Sequence, residues 1–116
     1  MKIAIVKNNY PNSKAATSKI KRLLSSKHKF VTSNPDLVIA VGGDGTFLSA
    51  VQKYWEKNKK ATFFAVHSGT LGFYSDYTCS EIEMFVKSLE SKDYEIQKAD
   101  VLKMSVGTKK WFALND

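Results

Sequence analysis

The sequence holds one cysteine and one arginine, and it has no apolar run long enough to cross a bilayer. Each shortage excludes something. Cys79 alone can neither close an intrachain disulfide nor build a metal site, and a chain without disulfides suits a reducing compartment, so a cytoplasmic location is expected. The longest apolar run, residues 37–41, is strand-sized, so no membrane partner is expected. The start, "MKIAIVKNNY", is too short in apolar residues for a signal peptide and has no cleavage pattern. The 2 prolines and 6 glycines form no linker, and no segment repeats, so nothing divides the 116 residues into independent cores.

Positive charge is plentiful, with 18 Lys+Arg against 11 Asp+Glu and a formal net charge of +7. All of the cations but Arg22 are lysines, and they are spread along the chain. Readers of base edges and phosphates favour the bidentate arginine fork, so no nucleic-acid partner is expected. Lys14, Lys19, Lys21, Arg22, Lys27 and Lys29 read as the solvated side of one helix. A general attraction for anionic ligands is compatible with the charge.

Periodicity supplies the architecture. Residues 2–6 read as a short buried strand. Residues 13–25 read as a helix, with Asn12 as its N-cap and Ala16, Ile20, Leu23 and Leu24 on one face. Phe30-Val31 is a short strand. The continuous aliphatic run 37–41 is the pattern of a strand buried on both faces. A helix with Phe47, Leu48, Val51, Tyr54 and Trp55 inward follows, and then a strand at 61–66. Ser80-x-x-Glu83 reads as a capping box for a helix burying Ile82, Phe85, Val86 and Leu89. Trp55, Phe63, Phe64 and Phe85 read as core. The alternation implies an α/β fold: an open, mainly parallel sheet with helices on its faces. After residue 92 the pattern becomes strand-like. Leu102, Met104 and Val106 alternate with polar residues, and a turn at 107–110 precedes a strand at 111–114. Residues 1–100 therefore form an α/β domain. Residues 101–116 form a β-hairpin that opens a second, β-rich region.

Two glycine-containing loops, 42–45 and 67–76, follow strands, and so belong to the sheet edge where open α/β folds bind ligands. The first, Gly42-Gly43-Asp44-Gly45-Thr46, is neither a P-loop nor a dinucleotide fingerprint: it lacks the P-loop spacing and lysine, and Leu48 stands where the third fingerprint glycine is needed. Its glycines allow close backbone approach and positive φ, and the helix start offers N–H groups to phosphate. Asp44 would sit beside that phosphate site, free to accept a proton from an attacking hydroxyl or to share a metal ion, both useful in phosphoryl transfer. The same residues could also form only a tight turn in which Asp44 caps the helix. His67 reads as a loop residue bonded to its own backbone, and Cys79 as an idle thiol.

"VGGDGTFLSA", then "HSGTLGFYSD", then the terminal "ALND" resemble the NAD kinase family in motif order, over nearly all of the chain. The GGDGT turn alone is shared with diacylglycerol and sphingoid kinases; Gly69-x-Leu71-Gly72-Phe73-Tyr74 points to NAD kinases, in a variant similar to those of low-GC Gram-positive bacteria. The resemblance implies a Rossmann-like domain of the NAD kinase/diacylglycerol kinase type. It implies transfer of phosphate from ATP, or from polyphosphate, to the 2′-hydroxyl of the adenosine ribose of NAD, with a divalent ion such as Mg²⁺. By the same resemblance Asp44 is the general base. Asp44, Gly45, Phe73, Tyr74, Asn115 and Asp116 contact NAD, and Gly42, Gly43, Gly45 and Thr46 shape the phosphate site. His67 stands where many members have Asn, and Asp116 where Glu is usual. The family also implies a homo-oligomer, dimer or tetramer, at full length. On this reading the chain is the N-terminal part of a longer enzyme and is inactive alone. Its rivals are a lipid kinase and a nucleotide-binding module without catalysis.

Overall fold

The computed structural model describes residues 1–58, 60–68 and 77–92 in full, and the backbone of the strands Asp100–Val106 and Lys109–Asn115. The first strand, β1 (Lys2–Lys7), leads into helix α1 (Pro11–Leu24) and a two-residue strand, β2 (Lys29–Phe30). Strand β3 (Leu37–Gly42) runs directly into helix α2 (Asp44–Tyr54), followed by β4 (Thr62–His67). A short strand, β5 (Tyr77–Thr78), and a 3₁₀ turn (Cys79–Glu81) then open helix α3 (Ile82–Ser91). Strands β6 (Asp100–Val106) and β7 (Lys109–Asn115) pair antiparallel, from Asp100 opposite Asn115 to Val106 opposite Lys109. The hairpin expected from the alternation is present, and its first strand begins at Asp100.

The main sheet has five strands in the order β2-β1-β3-β4-β5, all pairs parallel. Its centre is β3, whose six residues are all buried, as an unbroken aliphatic run between two neighbours requires. Side chains alternate across the sheet. Ile3, Leu37, Ile39, Val41 and Val66 pack with Ala16, Ile20 and Leu24 of α1 and with Ile82, Phe85 and Leu89 of α3. Ala4, Val38, Ala40 and Ala65 pack on the opposite face with Phe47, Ala50, Val51 and Tyr54 of α2. Small residues on this second face let α2 lie close to the strands.

Four local expectations are corrected. Helix α1 begins at Pro11, not at 13. Tyr10 takes the N-cap position without a side-chain cap, and Asn12 lies inside the helix. Proline is preorganised for a first turn and gives up a donor that no helix start can satisfy internally. Leu23 is 38% exposed, because the buried stripe of α1 runs through Ala16, Ile20 and Leu24 and successive helical residues lie about 100° apart. The capping box is Thr78 with Glu81: the Thr78 N–H donates to Glu81 Oε1 at 3.1 Å and its hydroxyl donates at 3.0 Å. Glu83 instead reaches α1 and bonds Lys19 at 2.9 Å. Lysines 19 and 27 are thus partnered across the α1–α3 side, Lys27 lying 3.9 Å from Glu90.

The aromatic core takes shape around Phe85, 1% exposed, whose ring meets those of Phe64 and Tyr77 edge-on at 5.6 Å. Phe63 and Trp55 pack, partly buried, on the α2 side. No helix among the described residues is long and apolar enough to cross a membrane.

Candidate functional site

The chain leaves β1 through α1 towards β2, then returns to the other side of β1 as β3. The covering helix changes face at the same point, α1 on one side and α2 on the other. The crevice outside the carboxyl ends of β1 and β3 is therefore the topological switch point, where ligands bind in open parallel sheets. Three segments converge there. Asn8 follows β1 and its N–H donates to Val41 C=O at 3.1 Å. Gly42 and Gly43 end β3. His67 ends β4 in register with Gly42, and the Ser68 N–H donates to Gly42 C=O at 2.9 Å.

No loop separates β3 from α2. Gly43 is the N-cap, extended at φ −105° and ψ −169°, and Asp44 is already the first helical residue. The first intrahelical bond is Phe47 N–H to Gly43 C=O at 3.1 Å. The backbone N–H groups of Asp44, Gly45 and Thr46 thus precede the ladder, at the positive end of the helix dipole. Asp44 is in the first turn, where its carboxylate is favoured by that dipole. The alternative of Asp44 as the helix cap is corrected, since the cap is Gly43 without a side-chain bond.

The glycines do different work from that expected. None of Gly42, Gly43 or Gly45 has a left-handed φ. Gly42 is required sterically: a Cβ there would strike the Thr46 hydroxyl and lie 2.8 Å from Asn8 Nδ2. At Gly43 a Cβ would meet, among the described residues, only His67 Nε2, at 3.7 Å. At Gly45 it would meet nothing within 4 Å among the described residues. An exposed glycine in a first helical turn, with open space before it, leaves room for a ligand to approach the backbone.

Gly42, Gly43, Asp44, Gly45 and Thr46 are therefore brought together at one edge, with His67 beside them. His67 belongs to β4 rather than to a loop, which corrects the expected start of the second loop. Phe73, Tyr74 and Asp116 lie outside the described residues, as does most of the second glycine-containing motif. Asn115 ends β7, and β7 lies alongside α2, the helix that carries Asp44 at its start. Nothing in "VKNNYP" marks Asn8 as the asparagine that reaches the neighbouring strand and this edge. The register of β1 on β3 decides it.

A second cavity of about 390 Å³ opens between α1 and the start of α3, lined by Asn12, Lys19, His67, Ser68, Thr78 and Cys79 among others. Burial pushes the Cys79 thiol up from its ordinary value, which agrees with an idle thiol rather than a nucleophile. Among the described residues there is no group of three or more His, Cys, Asp or Glu able to enclose a metal ion.

Comparison with known proteins identifies the family of the chain. Curated proteins named NAD kinase are similar along the whole chain, one from Leuconostoc mesenteroides at 37% identity and one from Lactobacillus delbrueckii at 38%. The chain spans about half the length of these relatives, 46% in each case. The crystal structure of yeast NADH kinase complexed with NADH superposes with a TM-score of 0.70, covering 99% of this chain and 44% of that one at 17% identity, a likeness of fold. The profile of the ATP-NAD kinase N-terminal domain matches residues 3–94, which takes in the parallel sheet, the GGDG turn and all three covering helices. On that match the chain belongs to the ATP-NAD kinase N-terminal domain family.

Proposed function

We propose that the chain is the nucleotide-binding half of an NAD kinase, which transfers the terminal phosphate of ATP to the 2′-hydroxyl of the adenosine ribose of NAD. The observation that carries this reading is Asp44 in the first turn of α2, at the switch point, beside an open Gly45. The N–H groups of that turn bind phosphate oxygens. Asp44 takes the proton of the 2′-hydroxyl as the ribose oxygen bonds to the γ-phosphorus. The bond from that phosphorus to the β–γ bridging oxygen breaks, and ADP leaves with its electron pair. Gly42, Gly43 and Thr46 shape the phosphate side, with Gly45 shared by both substrates. Phe73 and Tyr74 line the nicotinamide half of the NAD pocket, and Asn115 with Asp116 holds the adenosine half.

A carboxylate in the first turn of α2, next to Gly45, fits an ion held largely by substrate phosphates, as Mg²⁺ commonly is. Asp44 would be its protein ligand, and the bound ion would neutralise phosphate charge. Residues from 101 onward open a second, β-rich domain that completes the NAD pocket and supports a homo-oligomer in the cytoplasm. The lipid-kinase alternative shares only the GGDGT turn, whereas the relatives named NAD kinase match the chain throughout.

The test uses the full-length protein with ATP and Mg²⁺, offered NAD or diacylglycerol. NADP formation is expected, and Asp44→Asn should lower kcat by about 10² to 10⁴ while NAD binding is kept. Near-normal turnover by that variant removes Asp44 from the chemistry, and phosphorylation of the lipid instead of NAD overturns the reading.

A further inference from the structure

A kinase with two nucleotide substrates must bring both to one turn, and the fold leaves a different side for each. Strand β7, with Asn115 at its end, lies alongside α2. Helices α1 and α3 cover the opposite face of the sheet. In phosphoryl transfer the attacking and leaving oxygens lie roughly in line across the phosphorus. An acceptor held on the β7 side therefore sends the leaving group towards α1 and α3. The cavity of about 390 Å³ opens there, and its size is that of a small-molecule site. It adjoins the turn through His67, which lines the cavity and brings Nε2 up to Gly43, 3.7 Å from where a Cβ would stand. Its walls suit a nucleoside better than further phosphate. Ala15, Ala16 and Cys79 give small, weakly polar surfaces against which a flat base can lie. The Asn12 amide and the Ser68 hydroxyl offer both donors and acceptors, and neither is used by a hydrogen bond among the described residues. Lys19 is already paired with Glu83 at 2.9 Å, so the lining brings no unpaired lysine to a phosphate chain.

We propose that the cavity between α1 and the start of α3 takes the base and ribose of the phosphoryl donor, which makes that donor a nucleoside triphosphate rather than bare polyphosphate. This rests on the kinase reading above and adds where the donor's nucleoside lies. The phosphates stay at the first turn of α2, and the nucleoside extends past His67 on the side away from β7.

The test uses the full-length protein with Mg²⁺ and needs no turnover. Labelling of Cys79 by N-ethylmaleimide is followed by mass spectrometry of its peptide, with β,γ-imido-ATP, inorganic tripolyphosphate or NAD present. At about ten times its Kd the ATP analogue should slow labelling about tenfold, by mass action. Tripolyphosphate and NAD should not slow it. Ala15→Phe fills the cavity from an exposed position of α1, so the fold survives. In calorimetry it should weaken the analogue by about tenfold, the cost of overfilling a site, and leave tripolyphosphate unchanged. Equal protection by tripolyphosphate would put phosphates in the cavity, and protection by NAD would put the acceptor there; either overturns the proposal. So does an Ala15→Phe protein that binds the analogue normally, or a wild-type protein that does not bind it. A protein that shows the expected protection but makes no NADP counts against the acceptor assignment alone.

Discussion

Replacing Gly45 by alanine should make the protein more stable and less active, and the structure supplies both signs. Gly45 is exposed in the first turn of α2, its φ is not left-handed, and a Cβ there would meet nothing within 4 Å among the described residues. Alanine therefore adds helix propensity without strain, about 0.5–1 kcal/mol. The same open space is where phosphate and ribose are proposed to approach the backbone. A methyl group in a filled site costs about 1–3 kcal/mol, or about 5- to 150-fold in kcat/KM. Urea unfolding and initial rates of NADP formation, measured on the full-length protein, read the two effects separately. Gly42→Ala supplies the contrast, since its Cβ would strike the Thr46 hydroxyl and sit 2.9 Å from Thr46 Cβ. It should destabilise by about 1–3 kcal/mol. A Gly45→Ala protein that is destabilised, or that keeps its kcat/KM, refutes the assignment of that space to ligand.

Three further outcomes follow from the packing and charge. Phe85→Ala removes the ring between Phe64 and Tyr77 and should cost about 3–5 kcal/mol in a denaturant titration. Thr78→Val deletes the hydroxyl of the capping box and should cost about 1 kcal/mol, read in the same titration, with α3 fraying first by amide exchange. The hydrogen bond and charge of Lys19 hold the Glu83 carboxyl below its usual range, with a smaller contribution from Arg22. Because the folded value is the lower one, this contribution is present above the ordinary glutamate range and is lost as pH falls through the depressed value. Carboxyl NMR titration should show the Glu83 pKa return upward in Lys19→Ala, and an unmoved titration would disprove the pairing in solution.

The elements were legible where one physical signal dominated. The run 37–41 has the pattern of a doubly buried strand, and all six residues of β3, Leu37–Gly42, are buried. The amphipathic spacing of Ile82, Phe85 and Leu89 placed α3, and the alternation after residue 100 placed the hairpin. The errors fell at helix ends, where several residues compete for one role. Pro11 started the helix ahead of Asn12 because its fixed φ suits a first helical residue, which left the cap position to Tyr10, and Thr78 prevailed over Ser80 because β5 delivers it to the turn in extended conformation.

Of the site, the composition of the GGDG turn and its place between strand and helix belong to the sequence alone, since they rest on local chemistry. Its working geometry does not. That Gly42 is sterically required while Gly45 is open depends on what lies opposite each Cβ: Thr46 and Asn8 in one case, no described residue in the other. Those neighbours are set by parallel register, which pairs Lys7 with Val41 and Gly42 with His67. A strand carries no mark of which residue it will face across a parallel ladder. Asn8 and His67 therefore join Asp44 only when β1, β3 and β4 are assembled, and the switch point exists only in the order of the finished sheet.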